Sequence, residues 1–298
     1  MHVAVGHELL ALARQASATS LVVVGTGKNV GKTVAMRAVY QAALANKLFP
    51  GLTSIGRDGE AIDVGDAQSK PRLFLRAGTI VATAREVLPA TPASEVLELS
   101  RLATAAGPLV YVRVRGDAYY ELIGPPTASG LREAIGGLGR HSSYTIVDGA
   151  IDRVAALAGG GDAVVVACGA STASTPDEAI DEVRALVTRL CVPEYDGASE
   201  AVAIEGALTP SKASELLRSR ESRVVLVQDP TQIALTGRAA LTALAGLTIR
   251  CMRAIRVVGV TVASIGRSNH FEPRDFANAV AEATGLPTFD VYTSERAA

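Results

Sequence analysis

Short runs of β-branched and aliphatic residues recur along the chain, with amphipathic stretches between them. The runs 20–25 (SLVVVG), 51–56 (GLTSIG), 79–83 (TIVAT), 109–114 (LVYVRV), 119–124 (YYELIG) and 144–148 (YTIVD) predict strands, as do 163–167 (AVVVA), 201–205 (AVAIE), 224–229 (VVLVQD), 255–262 (IRVVGVTV) and 288–291 (TFDV). Several are continuously apolar rather than alternating, the pattern of a strand covered on both faces in a parallel sheet. Helices are expected between them. Over 175–190, Thr175 is placed as N-cap, Pro176 in the first turn and Glu178 as the capping-box acid. Thr209 and Pro210 open another helix in the same way, and a helix over 272–284 stops at Gly285, ahead of Pro287. A helix over about 7–17 precedes the first strand. This order predicts an α/β fold with a doubly wound, mainly parallel sheet. We read residues 1–298 as one domain, with 1–19 as a helical extension and loops at 157–161 and 192–200.

Composition narrows the functional classes. The formal net charge of −1 gives no overall attraction to nucleic acid or to an anionic membrane. Tryptophan is absent and aromatics are few, which argues against a stacking platform for single strands. Cys168, Cys191 and Cys251 are widely spaced and form no CxxC pair, as in a reduced protein without a disulfide framework or zinc site. The opening MHVAVGHELLALARQ lacks a basic leader, and no window is apolar for long enough to span a bilayer. A cytoplasmic location is the expectation.

The stretch LVVVGTGKNVGKT (21–33) carries the strongest chemical signal. An apolar strand enters a glycine-rich turn, and a helix follows over 32–46, with Val34, Met36, Val39, Tyr40, Ala43 and Leu44 as its packed positions. Turn amides point inward at an anion, glycine permits close approach, and the helix N-terminus adds partial positive charge. The candidate phosphate site comprises Gly25, Thr26, Gly27, Lys28, Asn29, Val30, Gly31, Lys32 and Thr33. Lys32 is assigned to the β and γ phosphates and the Thr33 hydroxyl to Mg²⁺, as in a Walker A loop. The match to GxxxxGK[ST] is imperfect, because Thr26 stands at the first glycine. Lys28 is either a second phosphate-reaching lysine or a solvated turn residue.

A P-loop also needs an acid at the end of a neighbouring strand. Asp148, which ends SYTIVD, is the candidate for Mg²⁺, against a plain Asp-Gly turn. In SIGRDGE, Asp58 is a further candidate for the metal and Arg57 for phosphate or substrate; both read equally as turn residues. Asp63 and Asp66 are weaker candidates.

With these residues placed, GTGKNVGKT resembles the loop of dethiobiotin synthetase and its relatives, typically GTDTxVGKT; Gly25, Thr26, Val30, Gly31, Lys32 and Thr33 match. The family's VEGAGG element looks like VDGAID here, carrying its magnesium acid onto Asp148, and its next strand, loop and helix look like AVVVACGASTASTPDEAI. The resemblance implies a P-loop nucleoside triphosphate hydrolase fold, usually dimeric, with ATP and Mg²⁺ at the loop. Two departures matter. SIGRDGE replaces the family's substrate-side lysine motif, and Ala263 and Ser264 stand where an asparagine often reads adenine. VGTGKNVGKT, GLTSIGRDGE, AGTIVATA, IVDGAIDR and FEPRDFANAVAEATGLPTFDV together look like the P-loop subunit of the lysine/ornithine aminomutase reactivase system. That resemblance implies an ATPase working with a second ATPase subunit on a cobalamin-dependent aminomutase, through a conformational cycle. A ligase acting on a small carboxylate or carbamate, and a regulatory nucleotide-binding module with little turnover, share the same site.

Other residues read more plainly. Cys168 has no local base and is expected to be buried; His270 is expected in a solvent-facing loop. RVRGD (113–117) is expected as the turn of a hairpin. Thr127 and Ser129, in GPPTASG, either line a second anion site or cap a helix.

Overall fold

The computed structural model describes residues 3–56, 72–90, 93–149, 158, 160–219, 223–266 and 269–293. These divide into two compact units, one of residues 3–23 and 33–149 and the other of residues 24–32 and 158–293. Both are α/β; the named strands of the second pair in parallel, whereas the first combines a parallel half with antiparallel pairs.

In the first unit the elements are α1 (Val3–Gln15), β1 (Ser20–Gly25, through Val23), α2 (Lys32–Ala45, from Thr33), β2 (Gly51–Ser54), β3 (Leu73–Leu75) and β4 (Ile80–Ala84). There follow β5 (Ser94–Thr104), β6 (Gly107–Val114), β7 (Ala118–Tyr120), α3 (Ala128–Gly139) and β8 (Thr145–Asp148). Its sheet runs β1-β8-β2-β4-β6-β5, with β1, β8, β2 and β4 parallel and β6 and β5 antiparallel. Every residue of β1, β2 and β4 is buried, which accounts for the apolar run of β1; in β2 the buried Thr53 and Ser54 hydroxyls are satisfied by Ala82 O at 2.9 Å and Leu122 O at 2.7 Å. Helix α3 packs on β2, β4 and β8, and its Ala134 and Leu138 join Ile80, Ala82, Leu109 and Tyr111 in one core cluster. Gly137 makes room for the tyrosine: a Cβ there would lie 2.1 Å from Tyr111 Oη.

The expected hairpin around 113–117 does not form. β7 pairs with β3 in a separate two-stranded ribbon, and β6 pairs with β4 and β5. The turn sends the chain off the sheet plane, where Tyr120 is fully buried and its hydroxyl bonds Ser94 Oγ at 2.6 Å.

The second unit holds β9 (Asp162–Gly169), α4 (Pro176–Leu190), β10 (Ala201–Ala203), α5 (Pro210–Arg218), β11 (Val224–Val227) and α6 (Gly237–Gly246). It continues with β12 (Ile249–Cys251), β13 (Arg256–Ala263), α7 (Pro273–Thr284) and β14 (Thr288–Asp290). β9, β13 and β14 are parallel neighbours, with α4 packed on β9 and β13 and α7 on β13 and β14. Between β9 and β13 the chain builds a second parallel sheet, β10-β11-β12, whose core gathers Val225, Val227, Leu208, Ile233, Ile249 and Cys251.

The helix signals fall where the residues place them. Thr175 accepts from the Glu178 amide at 3.3 Å, and the Glu178 side chain returns to the Thr175 amide, completing the capping box. Thr209 caps α5 by accepting from Lys212, and Gly285 ends α7 in the left-handed region at φ 68°. Replacing Thr175 by Ala is expected to cost about 1 kcal/mol, read by urea denaturation, with Thr175→Ser retaining most of it. Among the described residues no helix is long and apolar enough to cross a membrane.

Candidate functional site

β1 ends at Gly25, and residues 26–31 turn before α2 begins at Lys32. Two residues of the turn adopt positive φ, Asn29 at 61° and Gly31 at 85°. Asparagine and glycine tolerate that region best, so the sequence suits the bend. The Thr26 amide is anchored to Ala167 O at 2.9 Å, but the amides of Gly27, Asn29, Val30 and Gly31 donate to no acceptor among the described residues. A tight turn with successive unsatisfied N–H groups ahead of a helix N-terminus is an anion-binding shape.

The turn rests on the carboxyl ends of its own unit's strands. Val30 is buried; a Cβ on Gly27 would lie 2.6 Å from Thr172 Cγ2, and one on Gly31 would meet Val291 Cγ2 at 3.0 Å and Ala263 Cβ at 3.2 Å. Lys32 folds over the turn, its Nζ donating to Gly27 O at 2.6 Å. Lys28 is exposed. The Thr26 hydroxyl is buried with no hydrogen-bond partner among the described residues, a donor and acceptor in the turn itself.

Thr172, Ala263 and Val291 are residues that the motif by itself does not single out. Thr172 Oγ1 bonds Gly169 O at 3.2 Å and also engages Glu182 on α4. Burial raises the Glu182 carboxyl pKa, against the lowering effect of that hydrogen bond. Ser264 is fully buried beneath the edge, its amide donating to Asp290 Oδ2 at 3.2 Å. Asp290 Oδ1 accepts from the Tyr292 and Thr293 amides at 2.7 and 2.9 Å, so this carboxylate caps the turn after β14.

In the other unit, Asp148 ends β8, opposite Val23 of β1 on one side and Ser54 of β2 on the other. Its carbonyl accepts from Ile55 N at 2.9 Å and its side chain is half-buried. Thr33 is the second residue of α2. Beside β2 runs the segment 122–125: Ser54 Oγ donates to Leu122 O at 2.7 Å, and Gly56 N donates to Pro125 O at 2.9 Å. This segment leads to Thr127, which caps α3 by accepting from Gly130 N at 3.1 Å. The capping role takes the Thr127 hydroxyl. Arg57, Asp58, Asp63 and Asp66 lie outside the described residues.

The remaining candidates hold no position in this arrangement. Cys168 is 1% exposed, and burial pushes its thiol pKa far up, so it is not a thiolate nucleophile. His270 is exposed, its Nδ1 beside Asn269 O. Among the described residues no three His, Cys, Asp or Glu side chains gather into a metal cage. Comparison of the chain with protein-family models, curated proteins and solved structures finds no match.

Proposed function

We propose that the protein binds ATP·Mg²⁺ at the 25–33 turn of a P-loop fold and uses it to drive a conformational cycle on a partner enzyme. The observation that carries the reading is the backbone of the turn: Asn29 and Gly31 at positive φ, with the amides of Gly27, Asn29, Val30 and Gly31 donating to no acceptor among the described residues, immediately before a helix that begins at Lys32. In this assignment amides from Gly27 to Lys32 cradle the phosphates, and Lys32 leaves Gly27 O to neutralise charge on the γ-phosphate. Thr33 and Asp148 would hold Mg²⁺, which would supply charge neutralisation to the bound phosphates.

The sequence resemblance supports the rest of the proposal: a reactivase-like helper, acting with a second ATPase on a cobalamin-dependent aminomutase, itself a homodimer. The logic is thermodynamic. ATP shifts the partner only by as much as it prefers one conformation over the other.

Asp148→Asn tests the metal assignment. We expect Mg-ATP affinity to fall about tenfold while metal-free ATP binding changes little, since one ionised ligand is lost. Titration calorimetry with and without Mg²⁺ reads both; equal losses would remove Asp148 from the metal shell. An affinity pull-down from native extract, with and without a non-hydrolysable ATP analogue, tests the partner. Nucleotide-dependent recovery of an aminomutase or a second ATPase is the expected result, and recovery of neither turns the reading toward a small-molecule ligase.

A further inference from the structure

The two inner glycines of the turn are glycine for different reasons. Gly31 sits at a positive φ of 85°, which side chains rarely adopt. Gly27 is not among the residues at positive φ, so its backbone does not demand glycine. One neighbour excludes a side chain there. An added Cβ would lie 2.6 Å from Thr172 Cγ2 and 3.6 Å from Thr172 Cβ. Among the described residues, its chain neighbours aside, it would meet no other residue within 4 Å.

Gly27 joins the two parts of the turn assigned to phosphate. Its amide donates to no acceptor among the described residues, and its carbonyl accepts from Lys32 Nζ at 2.6 Å. A displacement of Gly27 therefore moves an amide of the cradle and the anchor of the lysine together.

Thr172 is itself tethered. Its amide and its hydroxyl both donate to Gly169 O, at 3.4 and 3.2 Å, and the hydroxyl also hydrogen-bonds the Glu182 side chain on α4. The loop around it is pinned: Ala170 N donates to Ala263 O at 3.0 Å, and Asn269 Nδ2 donates to Ala173 O at 2.8 Å. Threonine is β-branched and stiff about χ1, so fixing its hydroxyl also fixes its methyl. With Oγ1 turned to Gly169 and Glu182, Cγ2 is left against Gly27. The neighbours of Gly31 differ. Ala263 ends β13 and Val291 follows β14, so the sheet sets their positions. Thr172 stands on a loop, where its own hydrogen bonds decide its position.

We infer that Thr172 is a positioning residue for the phosphate turn: its methyl props Gly27, and Gly169 O and Glu182 hold that methyl in place. The inference rests on the nucleotide reading of the turn. Titration calorimetry of the full chain with Mg-ATP tests it by moving one methyl group. Thr172→Ser removes the prop and keeps the hydroxyl, whereas Gly27→Ala adds a methyl that collides with the prop. Each alone should weaken Mg-ATP binding about tenfold, and the two together, which carry the methyl across the contact, should bind within about threefold of wild type. Glu182→Ala should also weaken binding, and Glu182→Gln, which can still bond the Thr172 hydroxyl, should retain it. Thr172 and Glu182 reach the surface, so urea midpoints of their variants should move little; a merely structural role would move the midpoint and not the affinity. No loss of affinity in Thr172→Ser, no loss in Glu182→Ala, or additive losses in the double variant overturns the inference while the nucleotide reading stands. A wild-type protein that binds no Mg-ATP removes that reading itself, and the inference with it.

Discussion

Lys32→Ala is expected to abolish the stabilisation that Mg-ATP confers, while leaving the fold intact. A ligand present at a hundred times its dissociation constant stabilises the native state by about 2.7 kcal/mol. For a chain of this size that corresponds to a rise in Tm of roughly 5 °C. The wild-type protein should show that rise in a thermal scan and the variant should show none. The substitution itself should cost little. Lys32 is the first residue of α2, alanine is a strong helix former, and the side chain donates to Gly27 O, a carbonyl at the turn. Retention of the full ligand-induced shift in Lys32→Ala would remove the 25–33 turn from nucleotide binding, whatever the fold around it.

The largest stability effect is expected at Gly124. A Cβ there would sit 1.7 Å from Ser54 O, a backbone atom of β2 that cannot rotate aside. Gly124→Ala must therefore push the segment 122–125 off the end of β2. It also strains the bonds that hold the segment there, Ser54 Oγ to Leu122 O at 2.7 Å and Gly124 N to Ser54 Oγ at 3.3 Å. We expect a loss of about 3 kcal/mol, the upper end for overpacking, and a fall in Tm of roughly 6 °C or more. Gly136→Ala is the control. It lies within α3 with nothing within 4 Å of an added Cβ, and should stabilise by about 0.5–1 kcal/mol through reduced chain entropy. Urea denaturation reads both, and equal behaviour of the two glycines would refute the close approach at Ser54.

The 122–125 segment also shows where sequence reasoning reached its limit. GPPTASG contains its own helix cap, and Thr127 performs that role, because capping is decided within four residues. That the same segment lies along β2, 70 positions earlier in the chain, is written in no local pattern. The phosphate turn divides in the same way. Its glycines, Lys32 and the strand–helix context are legible from spacing alone. Thr172, Ala263 and Val291, on which the turn rests, come from three distant stretches; the resemblance singled out Ala263 alone, and only packing against Gly27 and Gly31 brings the three together.

Among the elements, the apolar strands β1, β4, β8, β9 and β13 were determined by the sequence, because burial on both faces demands a continuous hydrophobic run that does not depend on partner identity. The capping box at Thr175 and the left-handed stop at Gly285 were likewise local. The tertiary structure decided the rest. β5 mixes charged and apolar residues and breaks its alternation twice, so its strand character comes from the ladder with β6. β3 and β12, three residues each, are too short to carry a period and exist through their partners β7 and β11. Propensity and patterning act over a few residues, whereas strand pairing joins segments far apart in the chain and is set by which surfaces bury each other best.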